Sequence, residues 1–266
     1  MTHAGAAATT TRSTDFGTLE WAASSLGRMT RREKLREFAS ANRLLLRTAP
    51  AQIRMRLGRP NAGARAFDLD AIPVPDSKIA REAEDECREV AADRLLMHSY
   101  RTYVWATLLA RCDNLNPDPE LLYVASMLHD VALTDRHRDA NAMVCFAARA
   151  GVFAAQWTKQ RGWPEHRCAT VGDAISLHLN SVVDAKHGPE AQALQAGAAL
   201  DVLGLRMGEF EGATLDAVHM RYPRLDMLAG LSDFAAEARP HTRTHLLMRW
   251  LMFSTLARHS PLERRG

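Results

Sequence analysis

The chain has 266 residues, of which 47% are hydrophobic and 24% charged, a composition that excludes a disordered or low-complexity protein. Thirty-four Lys and Arg against 31 Asp and Glu leave a formal charge of +3, too small and too scattered a surplus to make nucleic acid or an anionic membrane the default partner. The four cysteines contain no CxxC pair, which argues against a cysteine zinc site. Without an apolar leader or an uninterrupted run of ~18 apolar residues, the expectation is a reduced, cytoplasmic protein.

Residues 1–15 are small, polar and aperiodic and read as a disordered tail. A helical, strongly basic stretch over 21–57 follows, taken as a solvated helical face. A loop rich in Gly, Asn, Asp and Pro spans 60–75, after which Asp76, Ser77 and Lys78 open a long helix predicted to run to about Arg111. The turn over 114–119 starts another helix, with Asp118 as N-cap and Pro119 at the first helical position. Further helices are predicted over 140–161, 164–179, 188–203, 215–222, 228–238 and 242–259. No alternating β-branched run, repeat or linker composition interrupts them. The reading is one all-α domain over 16–266, a helical bundle with its motif core at about 76–205 and the basic N-terminal and the C-terminal helices packed outside it.

Several ionisable residues fall on apolar stripes. Ala91, Leu95, His98, Thr102, Trp105 and Leu109 recur at helical spacing, with His98 in the middle of the face. Leu121, Ala125 and Leu128 lead on one side into His129 and Asp130. Val171, Ala174, Ile175 and His178 share a face, as do Leu194, Ala198, Asp201 and Leu205. An ionised aspartate pointing into a core is costly unless it is paired or binds a cation. Each residue alone is explained by a satisfied buried polar group. Three imidazoles and two carboxylates together suggest a metal site inside a helical bundle. Mixed nitrogen and oxygen donors suit Zn first, with Fe, Mn or Ni as alternatives, better than Ca or Mg.

The order H…HD…D, carried by His98, His129-Asp130 and Asp201, resembles the HD-domain superfamily of metal-dependent hydrolases. Within it the cyanamide hydratase-like branch has the first histidine in an H-S-x-R-x-Y context, here His98-Ser99-Tyr100-Arg101-Thr102-Tyr103. The turn after the HD pair is Val131-Ala132-Leu133-Thr134, and the resemblance covers about Asp93 to Asp201, with a fainter echo at Tyr222-Pro223-Arg224. Leu133 stands where phosphodiesterases of the superfamily carry the lysine of HD-x-x-K, which counts against a phosphodiester substrate. Of the extra histidines that two-metal members use, His178 alone has a helical context here, while His166 and His187 read as surface residues. Ala147 replaces the branch's acidic residue, so one divalent metal is expected, not two.

The resemblance implies metal ligation by His98, His129, Asp130 and Asp201, with His178 carrying a proton. Arg101 is placed to orient a carboxylate or reach the substrate, and Thr134 and Asn180 are candidates for substrate contact. The leading reading is a hydratase or hydrolase for a small uncharged molecule, of the cyanamide-to-urea type, with no nucleic acid or membrane partner. A phosphohydrolase for a nucleotide or phosphate ester, and a non-catalytic binding protein that keeps a structural metal, stay open. So does a homodimer through the N- or C-terminal helices.

Overall fold

Short capping signals fix where the helices begin. Thr30 and Glu33 form a reciprocal capping box at the start of one helix. Asp118 accepts from the backbone N–H groups of Glu120 and Leu121 at the start of another, with Pro119 as its first residue. The structure, a computed structural model, describes residues 15–57, 59, 63–138 and 143–264. Its helices are α1 (Leu19–Ser25), α2 (Arg31–Arg56), α3 (Lys78–Val90), α4 (Asp93–Cys112), α5 (Pro119–Leu128) and α6 (Phe146–Gln160). They continue with α7 (Glu165–Leu177), α8 (Pro189–Leu203), α9 (Gly212–Arg221), α10 (Gly230–Ala236), α11 (Arg243–Trp250) and α12 (Phe253–Arg258). Among the described residues the only β feature is an isolated bridge between Arg65 and Phe210. The fold class is all-α, and no described helix is long and apolar enough to cross a membrane. Apart from Asp15, which pairs with Lys186 at 2.8 Å, the expected tail lies outside the described residues.

Three expected helices are broken. Leu26 and Gly27, both at positive φ, separate α1 from α2. Met252, at φ 52°, separates α11 from α12. The long helix expected from Lys78 onward parts at Ala91 and Ala92, which carry no breaker chemistry but adopt extended backbone. Packing decides there, since α3 lies against α5 whereas α4 runs along α8. Propensity gives way to tertiary contact.

The core is a contiguous cluster of buried apolar side chains that runs from Trp21 to Leu262. Its centre is α4, where Trp105, Leu108 and Leu109 are fully buried, each contributing about 1.5–3 kcal/mol of burial free energy. The approach of α4 to α8 is set by Gly197. A Cβ at that position would stand 2.5 Å from the carbonyl oxygen of Thr102 and 2.7 Å from the amide nitrogen of Ala106. One turn further along α8 lies Asp201, and one turn back along α4 lies His98. The helix α2 turns Ala41, Leu44 and Leu45 toward a cavity.

Candidate metal centre

Four helices bring their polar residues to one place. His98 comes from the middle of α4. His129 caps the C-terminus of α5 and Asp130 follows it. His178 caps the C-terminus of α7, and Asp201 sits in the last turn of α8. His98, His129, His178 and Asp201 are buried, and the half-buried Asp130 lines the adjoining cavity.

Hydrogen bonds settle which ring nitrogen faces inward. The Nδ1 of His129 lies 2.7 Å from the carbonyl oxygen of Ser126, and that of His178 lies 2.6 Å from the carbonyl oxygen of Ile175. A carbonyl only accepts, so each Nδ1 carries the proton and donates it. The Nδ1 of His98 donates to Asp201 Oδ2 at 2.7 Å. In neutral imidazoles this leaves all three Nε2 atoms as bare lone pairs. They converge: His98 Nε2 and His129 Nε2 are 3.2 Å apart, and Asp130 Oδ2 lies 3.6 Å from the first and 3.4 Å from the second. His178 Nε2 lies 3.5 Å from Asp130 Oδ1, an oxygen that accepts no hydrogen bond in the structure.

Lone pairs and a carboxylate so close repel one another unless a cation lies among them. A tetrahedral ion with bonds of about 2.0–2.2 Å spaces its ligands by roughly 3.3–3.6 Å, and the triangle of His98, His129 and Asp130, with edges of 3.2, 3.4 and 3.6 Å, is close to that. The donors fit a divalent transition ion. Among the described residues this is the one cluster of three or more His, Cys, Asp or Glu side chains with metal-binding spacing. His166 is exposed and His187 half-buried, and neither joins it. The four cysteines stay apart as free thiols, and burial pushes that of Cys87 up to about 12.

Asp201 does not complete the triangle. Its Oδ2 accepts from His98 Nδ1, on the side of the ring away from His129, and from Arg101 Nη2 at 3.0 Å. Its Oδ1 accepts from Arg101 Nε at 2.8 Å, Trp105 Nε1 at 3.3 Å and Arg224 Nη1 at 3.4 Å. Five donors occupy roughly four lone-pair sites, so no lone pair is left to meet an ion. The expected fourth ligand is, in this geometry, the residue that orients the first histidine. Burial pushes its carboxyl up, but Arg101, His98 and Arg224 outweigh that and hold it well below the usual range. Asp130 is likewise desolvated yet held low by the surrounding imidazoles. Burial lowers His129, and lowers His178 to about 3, so both are neutral around pH 7.

Arg101 is fully buried, clamps Asp201 in bidentate fashion and does not reach the cavity. Of its two expected roles it takes the orienting one. Thr134 and Asn180 border the cavity, but their side chains are committed elsewhere. Thr134 Oγ1 donates to the carbonyl of Val131 at 2.6 Å. Asn180 Oδ1 accepts from the buried Arg243 at 2.8 Å while its amide donates to the carbonyl of Phe16. Both are framework. Arg224, which carried a faint signal in the Tyr-Pro-Arg segment, and Trp105, on the His98 stripe, were not assigned from the sequence and turn out to hold Asp201.

The site opens into a cavity of about 390 Å³. Three arginines line it, Arg94, Arg138 and Arg224, against the carboxylates of Asp130, Asp135, Asp233 and Glu263, and no lysine does. Arg94 is paired with Asp233 at 2.9 Å, and Arg224 with Glu263. Leu133, at the position of the superfamily lysine, is a buried apolar part of the wall.

No protein-family model matches this chain. Two curated proteins of Saccharomyces cerevisiae are similar to it, cyanamide hydratase DDI2 and cyanamide hydratase DDI3. Each is 26% identical over 162 residues, a stretch that covers 59% of this chain and 71% of the relative. The likeness to cyanamide hydratases anticipated from the motifs is thus present along the sequence.

Proposed function

We propose that this protein is a metal-dependent hydratase that adds water across the C≡N bond of an uncharged compound, with one divalent transition ion, Zn first, held by His98, His129 and Asp130. The observation that carries the reading is the convergence of bare Nε2 lone pairs on a carboxylate inside a cavity where Arg94 and Arg224 are already paired with carboxylates. The similarity to two cyanamide hydratases supports the reaction type. When bound, such an ion supplies Lewis acidity that polarises the substrate and makes water a better nucleophile near neutral pH.

The chain's own residues have separable tasks. Asp201 and Arg101 fix His98 in the tautomer that turns Nε2 inward. Backbone carbonyls do the same for His129 and His178. His178 Nε2, neutral and beside Asp130, accepts a hydrogen bond from the attacking water and relays its proton to the substrate nitrogen. Burial disfavours a lasting imidazolium, so the relay is a passing one. The water oxygen bonds to carbon as one π bond of the nitrile opens and the first proton reaches nitrogen; the second proton then moves from that oxygen to nitrogen as the remaining C–N π bond gives way to C=O, leaving the amide. A phosphate ester fits less well, because its spread negative charge needs a second ion or an unpaired cation beside the first.

The test is metal analysis with a cyanamide hydration assay. One equivalent of metal and turnover are expected in the parent protein. His129→Ala should lose the metal. His178→Ala should keep it and lose turnover by about 10²–10⁴-fold, the usual contribution of a proton-transfer group. Retained metal in His129→Ala, or efficient phosphate release from nucleotides without hydration, refutes the proposal.

A further inference from the structure

The triad needs only a small reacting group, yet the cavity is far larger than that. Cyanamide occupies about two waters' share of volume, roughly 60 Å³, against a cavity of about 390 Å³. The polar lining consists of the histidines, the arginines and carboxylates, and a group at Thr134, Asn180, Ser181 and Gln195. Elsewhere the wall is apolar: Leu44 and Leu45 from α2, Val202 from α8, Leu231 and Phe234 from α10 and Leu247 from α11. Protein interiors seldom leave voids larger than a water molecule, and an apolar wall offers water few partners. A cavity of this size falls in the range of pockets that enclose drug-sized ligands. It reaches solvent as well, since the exposed Ala92 and Asp135 lie on its lining.

The geometry points to an amphiphilic substrate: an uncharged organic nitrile whose C≡N group sits at the triad and whose aliphatic or aromatic body fills the apolar arm lined by leucines of α2, α10 and α11. This rests on the hydration reading for the reacting group, and on the cavity alone for the body. The reaction balances as before, converting the nitrile and one water to the primary amide.

The test is calorimetric binding of product amides to the zinc-loaded and metal-free protein, using acetamide, butyramide, hexanamide and octanamide, with turnover of the matching nitriles and of cyanamide measured in parallel. Affinity should rise about three- to fourfold per added methylene, the gain expected for moving a CH₂ from water into an apolar site. The metal-free protein should show the same slope. Leu231→Trp, which fills the arm from α10, should flatten that slope. Leu44→Trp does so from α2, so a folding failure in one variant leaves the other to decide. A steep slope with nitrile turnover supports both readings. Flat binding with cyanamide turnover overturns the apolar body and leaves hydration standing. A steep slope with no turnover of any nitrile overturns the nitrile assignment and hydration with it, and leaves only the apolar arm. Flat binding without turnover overturns both.

Discussion

Gly197→Ala tests whether the α4–α8 contact builds the site. On an exposed helix this substitution stabilises by about 1 kcal/mol, because alanine is the better helix former. Here the new methyl would stand 2.5 Å from Thr102 O and 2.7 Å from Ala106 N, both backbone atoms that cannot rotate away. Reaching an ordinary contact of about 3.4 Å requires the helices to part by up to ~0.9 Å, and overpacking of that kind costs about 1–3 kcal/mol. The net expectation is destabilisation by about 0–2 kcal/mol, opposite in sign to the exposed case. The same displacement acts on the 2.7 Å bond between His98 and Asp201, one turn away on each helix. Stretching it past 3.2 Å loosens the hold on the His98 ring, and loss of such a partner typically lowers metal affinity 10–100-fold. Urea unfolding of the metal-free protein gives the first quantity, and zinc titration against a competing chelator gives the second. A Gly197→Ala protein that is more stable than the parent and binds zinc equally well would refute the reasoning.

Two further outcomes follow from groups outside the site. His219 is buried with no hydrogen-bond partner on either ring nitrogen, and burial lowers it to about 4. The unfolded chain, with a pKa near 6.5, therefore binds the proton more tightly than the folded one. Stability is complete above about pH 6.5 and declines as pH falls toward 4, and His219→Leu should remove about 2–3 kcal/mol of that decline in urea melts at pH 7 and pH 4.5. An unchanged decline would show that His219 is not its source. Arg149 and Glu237, both 1% exposed, pair at 2.7 Å and tie α6 to the end of α10. Glu237→Gln, which leaves Arg149 buried without its anion, should cost about 3–5 kcal/mol, while the double variant Arg149→Met/Glu237→Leu should cost less. Equal losses by chemical denaturation would count against a pairing role.

Much of this architecture was legible before any coordinates. Asp118 and Pro119 announced α5 through their own chemistry, and the stripe through His98 and Trp105 placed both residues inward. Periodicity identifies the face of a helix but not what stands opposite it. Asp201 was therefore found on an apolar stripe without the information that His98 presents Nδ1 to it, or that Arg101, Trp105 and Arg224 fill its remaining lone pairs. The choice between ligand and orienting group rests on a ring nitrogen, which no spacing encodes. The bond from Arg243 to Asn180 was hidden for the same reason, since the two lie 63 residues apart. The break at Ala91 and Ala92 had no local cause to detect, and α2 looked like a solvated helix because its basic residues outnumber Ala41, Leu44 and Leu45, which face the cavity.

His129 and His178 share a position, each closing the C-terminus of its helix. Aligned peptide dipoles leave about half a negative charge at such an end. Two helix ends therefore aim partial negative charge at the same point, beside the ionised carboxylate of Asp130. The backbone itself makes this corner attractive to cations and repellent to anions, independently of which imidazoles occupy it. Inorganic anions that crowd many metal centres meet a barrier here, and a neutral molecule approaching along the apolar wall does not.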